Sequence, residues 1–266
     1  MTYISLTPLD LALAATLLVL NAAISWVFGL RLEKSIAVAA VRMLIQLALI
    51  GLVLKFIFAQ TSPLWTLLLV LVMAGAAGVE VTARQHRRVK GWQTLGLSTG
   101  TLLFIGVAIT ALGVGVIIGP DPWYAPRYVL PILGMVLGNS MTAMSLVLDT
   151  FSEAVSRERT SIEAWLALGA HRGEAMRGVL QVSLRTGMMP ILNSMATTGI
   201  VALPGMMTGQ ILAGADPIAA VKYQILIMFL IAGATALASF FGGLGAVLLL
   251  TDKRHRLRLD RLAARR

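Results

Sequence analysis

The sequence contains no cysteine, which excludes disulfide bonds, thiolate metal sites and cysteine nucleophiles. It is also poor in charge: 13% of its 266 residues are charged, whereas 58% are hydrophobic. A water-soluble core cannot bury so large an apolar fraction, so the solvent around most of the chain must be lipid. The sequence therefore predicts an all-α integral membrane protein, because only helices or closed barrels satisfy their backbone polar groups in lipid.

Two familiar motifs are missing as well. No G-x-x-x-x-G-K-[ST] phosphate loop occurs, so we do not expect this chain to hydrolyse ATP or to be an enzyme. No signal-peptide pattern precedes the first apolar stretch, which is therefore read as a retained helix. Any nucleotide chemistry that drives the protein must then reside in a partner.

Apolar stretches long enough to cross a bilayer occur about seven times, at about 20 residues each. They run approximately over Leu9 to Leu30, Ile36 to Phe58, Leu64 to Val81, Leu95 to Ile118, Tyr128 to Leu148, Met189 to Leu212 and Ile218 to Leu250. We expect the sixth to be interrupted at Pro204-Gly205, because proline removes a backbone donor and glycine loosens the helix. These spans form one permease domain over residues 1–266.

The basic residues identify the cytoplasmic loops. Of 22 lysines and arginines, all but Arg42, Lys55, Arg127 and Lys222 fall on alternate connections and on the basic tail 252–266. The positive-inside bias then places the N-terminus outside and the C-terminus in the cytoplasm of a multi-pass inner-membrane protein. The net charge of +10 is thus explained by orientation and by contact with anionic membrane lipid, not by nucleic acid.

The longest cytoplasmic connection, residues 152–188, is predicted to form a helix-turn-helix. Thr160 and Glu163 have the spacing of a capping box, and Gly169 can end the helix that begins there. Ile162, Trp165 and Leu166 then share one face. The plain interpretation is a pair of helices lying on lipid headgroups, and the functional one is a docking element for a soluble partner.

A resemblance favours the docking interpretation. Glu163-Ala164 followed by Gly169 is similar to the coupling motif of ABC-transporter permeases, although Trp165 occupies the third motif position. The resemblance implies that this element contacts the ATPase. Its candidate coupling residues are Ile162, Glu163, Ala164, Trp165, Leu166, Gly169 and Arg172.

Motifs from the second to the last span extend that resemblance. Arg42 to Leu47, Gly138-Asn139-Ser140-Met141, and Leu203 to Gly209 together resemble the FetB-type permease family. The family implies a permease paired with a separate cytoplasmic ATPase, which holds ATP and magnesium, while this chain binds no cofactor. Bacterial members are associated with iron export and plant relatives with aluminium tolerance. We expect a homodimer bound to two ATPase subunits and working by alternating access.

Polar or soft side chains within the spans are candidates for a substrate pathway, because a solute must exchange its water for protein ligands. Each has a structural alternative: Arg42 can snorkel or pair with Glu80 or Asp149, and the fifth-span group can serve helix packing. No metal-binding residue is assigned. The candidates are Arg42, Gln46, Met135, Asn139, Met141, Asn193, Pro204, Gly205, Met206, Met207 and Gln210.

Two other classes of function stay open at this point. A carrier driven by an ion gradient would usually place carboxylates or histidines deep in its helices, whereas the three histidines here lie in cytoplasmic stretches. A membrane enzyme acting on lipid-linked substrates would need clustered acidic or nucleophilic groups, and the loop at Asp121 offers no partner cluster.

Overall fold

The computed structural model describes residues 7–59, 62–252 and 254–263, and within them the structure is helical with no strand. The chain divides into two compact units, one ending at Thr61 and the other beginning at Ser62. All-α architecture, predicted from composition alone, is confirmed.

The first unit is a helical hairpin of α1 (Pro8–Val27) and α2 (Glu33–Ala59). Thr7 and Asp10 form a capping box at the start of α1, in which the N–H of Thr7 donates to the Asp10 carboxylate at 2.7 Å. The hydroxyl of Ser25 accepts from the N–H of Leu32 at 2.9 Å and so fastens the connection between the helices.

The second unit surrounds one long central helix, α5, which packs against α3, α4, α8 and α10. A π-helical segment, Ala111–Ile118, continues α4, and a 3₁₀ turn at Leu259–Arg261 follows the last helix. The helices are α3 (Pro63–Arg84), α4 (Gln93–Thr110), α5 (Pro126–Arg157), α6 (Arg159–Ala167), α7 (Arg172–Ala175), α8 (Arg177–Thr197), α9 (Gly205–Leu212) and α10 (Pro217–Leu249).

Close contacts at two glycines show the direction in which α8 runs relative to α10. Gly187 lies against Ser239 of α10, whereas Gly243 of α10 lies against Leu180, so the two helices run antiparallel. The side of Gly187 also meets Val147 and the backbone oxygen of Ala143 on α5. The small residue allows α8 to approach both neighbours closely, as is common in membrane helix packing.

One end of this unit carries most of its arginines, and we call it the basic end. It comprises the α3–α4 connection, the α6–α7 segment and the C-terminal segment 250–263. Val89 of the α3–α4 connection pairs with Leu262, and the ring of His171, just before α7, contacts that of His255 at 4.4 Å between centroids. The described part of the C-terminal segment, up to residue 263, is therefore folded onto the unit, which its composition did not predict.

Six helices of the described residues are long and apolar enough to cross a membrane, where the sequence suggested about seven. They are Pro8–Val27, Glu33–Phe58, Pro63–Arg84, Gln93–Ile118, Pro126–Arg157 and Pro217–Leu249. Their positions match six of the predicted stretches to within a few residues, except that α5 extends nine residues beyond Leu148.

The predicted sixth span, Met189 to Leu212, is not one helix. Helix α8 starts at Arg177, continues through Pro190 and ends at Thr197. Because its first half is polar, α8 is not one of the long apolar helices. The break lies at residues 198–204, earlier than predicted. Gly199 turns the chain at φ +89° and its N–H donates to Ala202 at 2.9 Å. Pro204 and Gly205 begin α9 instead of interrupting a helix.

Candidate functional site

The helix-turn-helix predicted from the sequence exists, but its start differs from the prediction. Helix α6 begins at Arg159, and no side chain caps its N-terminus, so the capping box between Thr160 and Glu163 is wrong. Glu163 instead accepts a hydrogen bond from Nε of Arg159 at 2.8 Å, an i,i+4 pair on the exposed face. The helix is held by packing at Ile162 rather than by a cap.

The turn after α6 is closed by its own backbone. Gly169 adopts φ +90°, which a residue with a Cβ rarely does, and its N–H donates to the Leu166 carbonyl at 3.1 Å. The N–H of Ala170 donates to the Trp165 carbonyl, also at 3.1 Å. These two bonds form a Schellman motif, which satisfies carbonyls left free at a helix end. The helix stop predicted at Gly169 is confirmed.

Burial divides the residues of α6 and the turn into an anchor and an exposed tip. Ile162 is 2% exposed and Leu166 is half-buried, so these two hold the helix to the unit. Trp165 is 58% exposed and Leu168 84% exposed. We call Trp165 and Leu168 the apolar tip; Ala164, also exposed, lies on the same helix. Two large apolar side chains are therefore exposed together at the C-terminal end of α6.

The segment continues directly into α8. Helix α7 begins at Arg172, and the Glu174 carboxylate accepts from the N–H of His171 at 2.9 Å. Only Met176, which is fully buried, separates α7 from α8. The turn after α6 is therefore joined to α8 through one short helix and one buried residue, with no loop between α7 and α8.

The pathway candidates on α5 do not form one group. Asn139 is exposed, and its amide donates to the Met135 carbonyl one turn earlier at 2.9 Å. Met135 and Asn139 share a face of the helix, whereas Met141 is two positions from Asn139 and so points about 200° away around the axis. Gly138 has open space beside it, and Gly134 approaches Met73 of α3.

The remaining candidates are distributed over three helices. Asn193 is exposed on α8, two positions from the buried Ile191 that faces the unit, so its side chain points away from that interior. Met206, Met207 and Gln210 are half-buried on α9, and the Gln210 Oε1 atom has no hydrogen-bond partner among the described residues. Arg42 and Gln46 lie on α2 in the first unit.

Two carboxylates near the basic end, those of Glu80 and Asp149, have hydrogen-bond partners. Glu80 accepts from Arg84 at 3.2 Å, and Asp149 accepts from the N–H of His86 at 2.8 Å. Within residues 7–59, 62–252 and 254–263, no three His, Asp or Glu side chains gather to hold a metal ion.

Sequence comparison identifies the family to which this architecture belongs. A family model described as "Uncharacterised protein family (UPF0014)" matches residues 8–248, from the start of α1 almost to the end of α10. The chain belongs to the UPF0014 family. It is thus a multi-pass membrane protein, as its apolar helices require.

Named relatives of this UPF0014 chain cover most of its length. It is 40% identical to a UPF0014 membrane protein of Synechocystis, over 76% of this chain and 78% of the relative. It is 36% identical to YjkA of Bacillus subtilis, over 86% and 89%. The relative in Escherichia coli, named "Probable iron export permease protein FetB", is 34% identical over 97% of both chains. No solved structure matches the chain.

The structure of this UPF0014 chain adds three buried hydroxyl groups to the candidate site residues, none of which was a candidate from the sequence. Ser140 on α5 and Thr235 and Ser239 on α10 are almost completely buried, and their hydroxyls have no partner among the described residues. Buried hydroxyls usually have partners, so these mark places where water or a polar solute could bind. The sequence did contain a sign of this site, since Thr235 and Ser239 are four residues apart and so share one face of a helix. The high hydropathy of the span drew attention away from these two hydroxyls.

Proposed function

We propose that this chain is the permease subunit of an ABC transporter and that the α6–α7 segment binds a cytoplasmic ATPase. The observation that carries the proposal is the apolar tip, Trp165 and Leu168, exposed on a turn whose backbone hydrogen bonds are already closed. Exposed tryptophan on a rigid support is typical of residues that contribute most of an interface's binding energy. Glu163, Ala164 and Arg172 flank this tip.

Transmission to the membrane would go through α8. ATP-driven closure of the ATPases would shift the turn, and α7 and the buried Met176 would pass that shift to α8. Because α8 contacts α5 and α10 tightly at Gly187, a tilt of α8 would change the spacing around Ala143 of α5 and the buried hydroxyl of Ser239 on α10. We therefore place the substrate pathway at the α5–α8–α10 contact.

Helix α8 is also the crossing that completes the topology. Its 21 residues rise about 30 Å, the thickness of a hydrocarbon core, with Arg177 and Arg185 in the half nearer the basic end. Since α8 runs antiparallel to α10, it would return the chain from the basic end to the other side, where α10 starts. With this crossing, the N-terminus lies outside and the C-terminus lies in the cytoplasm of the inner membrane, as the charge bias predicts.

The proposed substrate comes from the Escherichia coli relative, which is named a probable iron export permease, and the proposed assembly comes from the resemblance to ABC-transporter permeases. We infer metal-ion export, with iron as the first substrate to test. A homodimer would bind two ATPase subunits, and ATP and magnesium would be held by those partners. Alternating access would expose the pathway to each side in turn.

The chemistry of the buried side chains favours ATP over an ion gradient as the energy source. The buried polar side chains of the described residues are those of Ser, Thr and Gln. A proton-coupled carrier would instead depend on titratable side chains buried among its helices.

Substitution of the apolar tip tests the docking claim. With a candidate ATPase, we expect Trp165→Ala to weaken binding of the permease by about 2 kcal/mol, roughly 30-fold in Kd, because the exposed tryptophan that would become buried against the ATPase is lost. Leu168→Ala should act in the same direction. The measurement is binding of the ATPase to detergent-purified permease, together with stimulation of ATP turnover.

Trp123→Ala is the matched control, since Trp123 is 66% exposed but lies on the α4–α5 connection. It should leave ATPase binding unchanged. Equal binding by wild type and both tip variants would reject the docking surface. In inside-out vesicles, iron accumulation that requires ATP and the ATPase would support export, whereas proton-driven uptake without the ATPase would favour the carrier.

A further inference from the structure

The C-terminal segment 250–263 is held against the second unit by several hydrogen bonds. The N–H of Lys90 donates to the Arg261 carbonyl at 2.7 Å, and its ammonium donates to the Asp260 carbonyl at 3.0 Å. The guanidinium of Arg261 donates to the Leu249 carbonyl at 2.7 Å, at the C-terminal end of α10. The segment is thereby fixed at the level where α10 ends.

A pocket of about 430 Å³ opens between this segment and the start of α7. Its walls combine guanidinium groups from separate parts of the chain with the last turn of α10. We call it the arginine pocket, and it is lined by Arg172, Leu248, Thr251, Asp252, Arg254, Arg256 and Arg261. The contact between the His171 and His255 rings holds the two sides of the basic end together beside it.

The single carboxylate in the arginine pocket is already satisfied. Asp252 accepts from the backbone N–H groups of Arg254 and Arg256 and from Nε of Arg256, each at 2.9 Å. These bonds, above all the one from the Arg256 N–H, lower the pKa of the Asp252 carboxyl to about 2. The carboxylate therefore stays ionised but is occupied in holding its own turn.

The arginines, by contrast, are not fully compensated. The guanidinium groups of Arg172 and Arg254 have no hydrogen-bond or ion-pair partner within the part of the chain that the structure describes. Like charges brought together repel one another unless an anion lies between them. Guanidinium groups present a planar set of donors that matches phosphate oxygens.

We propose that the arginine pocket binds a phosphate group, and specifically the headgroup phosphate of an anionic membrane lipid. Leu248 lines the pocket one residue before α10 ends, so the pocket opens where a membrane-length helix meets the headgroups. Basic pockets at the cytoplasmic ends of membrane helices are known to bind anionic lipid headgroups. A phosphate there would join α7 to the C-terminal segment. The ATPase proposal is not needed for this site.

Lipid binding to the full-length chain in neutral detergent tests the site. Phosphatidylglycerol, phosphatidylcholine and inorganic phosphate are the probes, and native mass spectrometry measures occupancy. We expect wild type to retain phosphatidylglycerol over phosphatidylcholine. The double variant Arg172→Gln/Arg254→Gln should lose at least about tenfold in affinity, because two charge-assisted phosphate contacts are removed.

The control is Arg177→Gln/Arg185→Gln, which removes the same charge from exposed positions of α8 outside the pocket. It should change phosphatidylglycerol affinity by less than about twofold. The single variant Arg254→Gln, at an exposed side chain, should lose affinity several-fold even if the double variant folds poorly.

Competition with inorganic phosphate distinguishes a lipid headgroup from a soluble phosphate as the ligand of the pocket. Displacement of phosphatidylglycerol only at molar phosphate would support the lipid headgroup, whereas displacement at millimolar phosphate would assign the pocket to a soluble phosphate. Equal losses in the pocket and control variants, or equal binding of both lipids, would overturn the proposal. So would unchanged lipid binding in a double variant that loses the ATPase, because the arginines would then recognise a protein.

Discussion

At the scale of single residues, Gly187 is the position where added volume should cost most. A Cβ there would meet the Ala143 backbone oxygen at 2.9 Å and also Val147, and a backbone atom cannot rotate away. We expect Gly187→Ala to destabilise the protein by about 1–3 kcal/mol through overpacking. The measurement is the midpoint of thermal unfolding in detergent.

Gly178→Ala provides the comparison on the same helix, since nothing lies within 4 Å of its added methyl group. It should leave stability unchanged or raise it slightly, because alanine favours the helix. Similar losses in both variants would show that α8 does not approach α5 as closely as described.

Single-residue roles were the hardest to predict from the sequence. The sequence pattern identified Gly169 as a helix stop, and Gly169 does end α6 in a left-handed conformation at φ +90°. Such roles depend on neighbours in sequence. Burial depends on distant helices, so the exposed Asn139 and Asn193 were chosen while the buried Ser239 was overlooked.

At the scale of elements, the turn after α6 depends on one backbone conformation. Gly169→Ala should raise the free energy of the turn by about 1–2 kcal/mol, because φ +90° places a Cβ in a strained position. Hydrogen exchange at the Ala170 amide should then accelerate about 5- to 30-fold, since that amide donates across the turn.

Gly173→Ala is the control for the turn, because Gly173 has helical conformation and open space beside it. Exchange at Ala170 should be as slow in that variant as in wild type. Unchanged exchange in Gly169→Ala would mean that the Schellman bonds do not limit opening of the turn.

Long apolar helices were predictable because bilayer length and hydropathy define them almost alone. Helix α8 was not, since Arg177 and Arg185 make its first half polar and its apolar half is short. Its position follows from contacts with α5 and α10, which are far away in sequence. The same holds for the C-terminal segment, whose composition indicated only a charged tail.

At the scale of the whole molecule, the question is whether α8 crosses the membrane. Since the chain has no cysteine, single cysteines can be labelled without background. If α8 crosses, Ala167→Cys on α6 and Ala215→Cys before α10 lie on opposite sides, and both positions are exposed. In intact cells, an impermeant maleimide should label only Ala215→Cys.

Wild type, which has no cysteine, is the negative control and should not be labelled. Permeabilised cells are the positive control, because both variants should react there. Reaction of both or neither in intact cells would place α6 and the start of α10 on one side. Either outcome would contradict a crossing by α8, and reaction of both variants would also place the apolar tip outside, without access to a cytoplasmic ATPase.

The closed turn at Gly169 also bears on the kinetics of assembly. Because its carbonyls are satisfied within the chain, the apolar tip is ordered before a partner arrives, and binding requires no folding step. Rigid docking of this kind usually proceeds at about 10⁵–10⁷ M⁻¹s⁻¹, and changes in contact residues alter dissociation far more than association. Trp165 and Leu168 would thus set the residence time of the partner, and so how many turnovers one encounter supports.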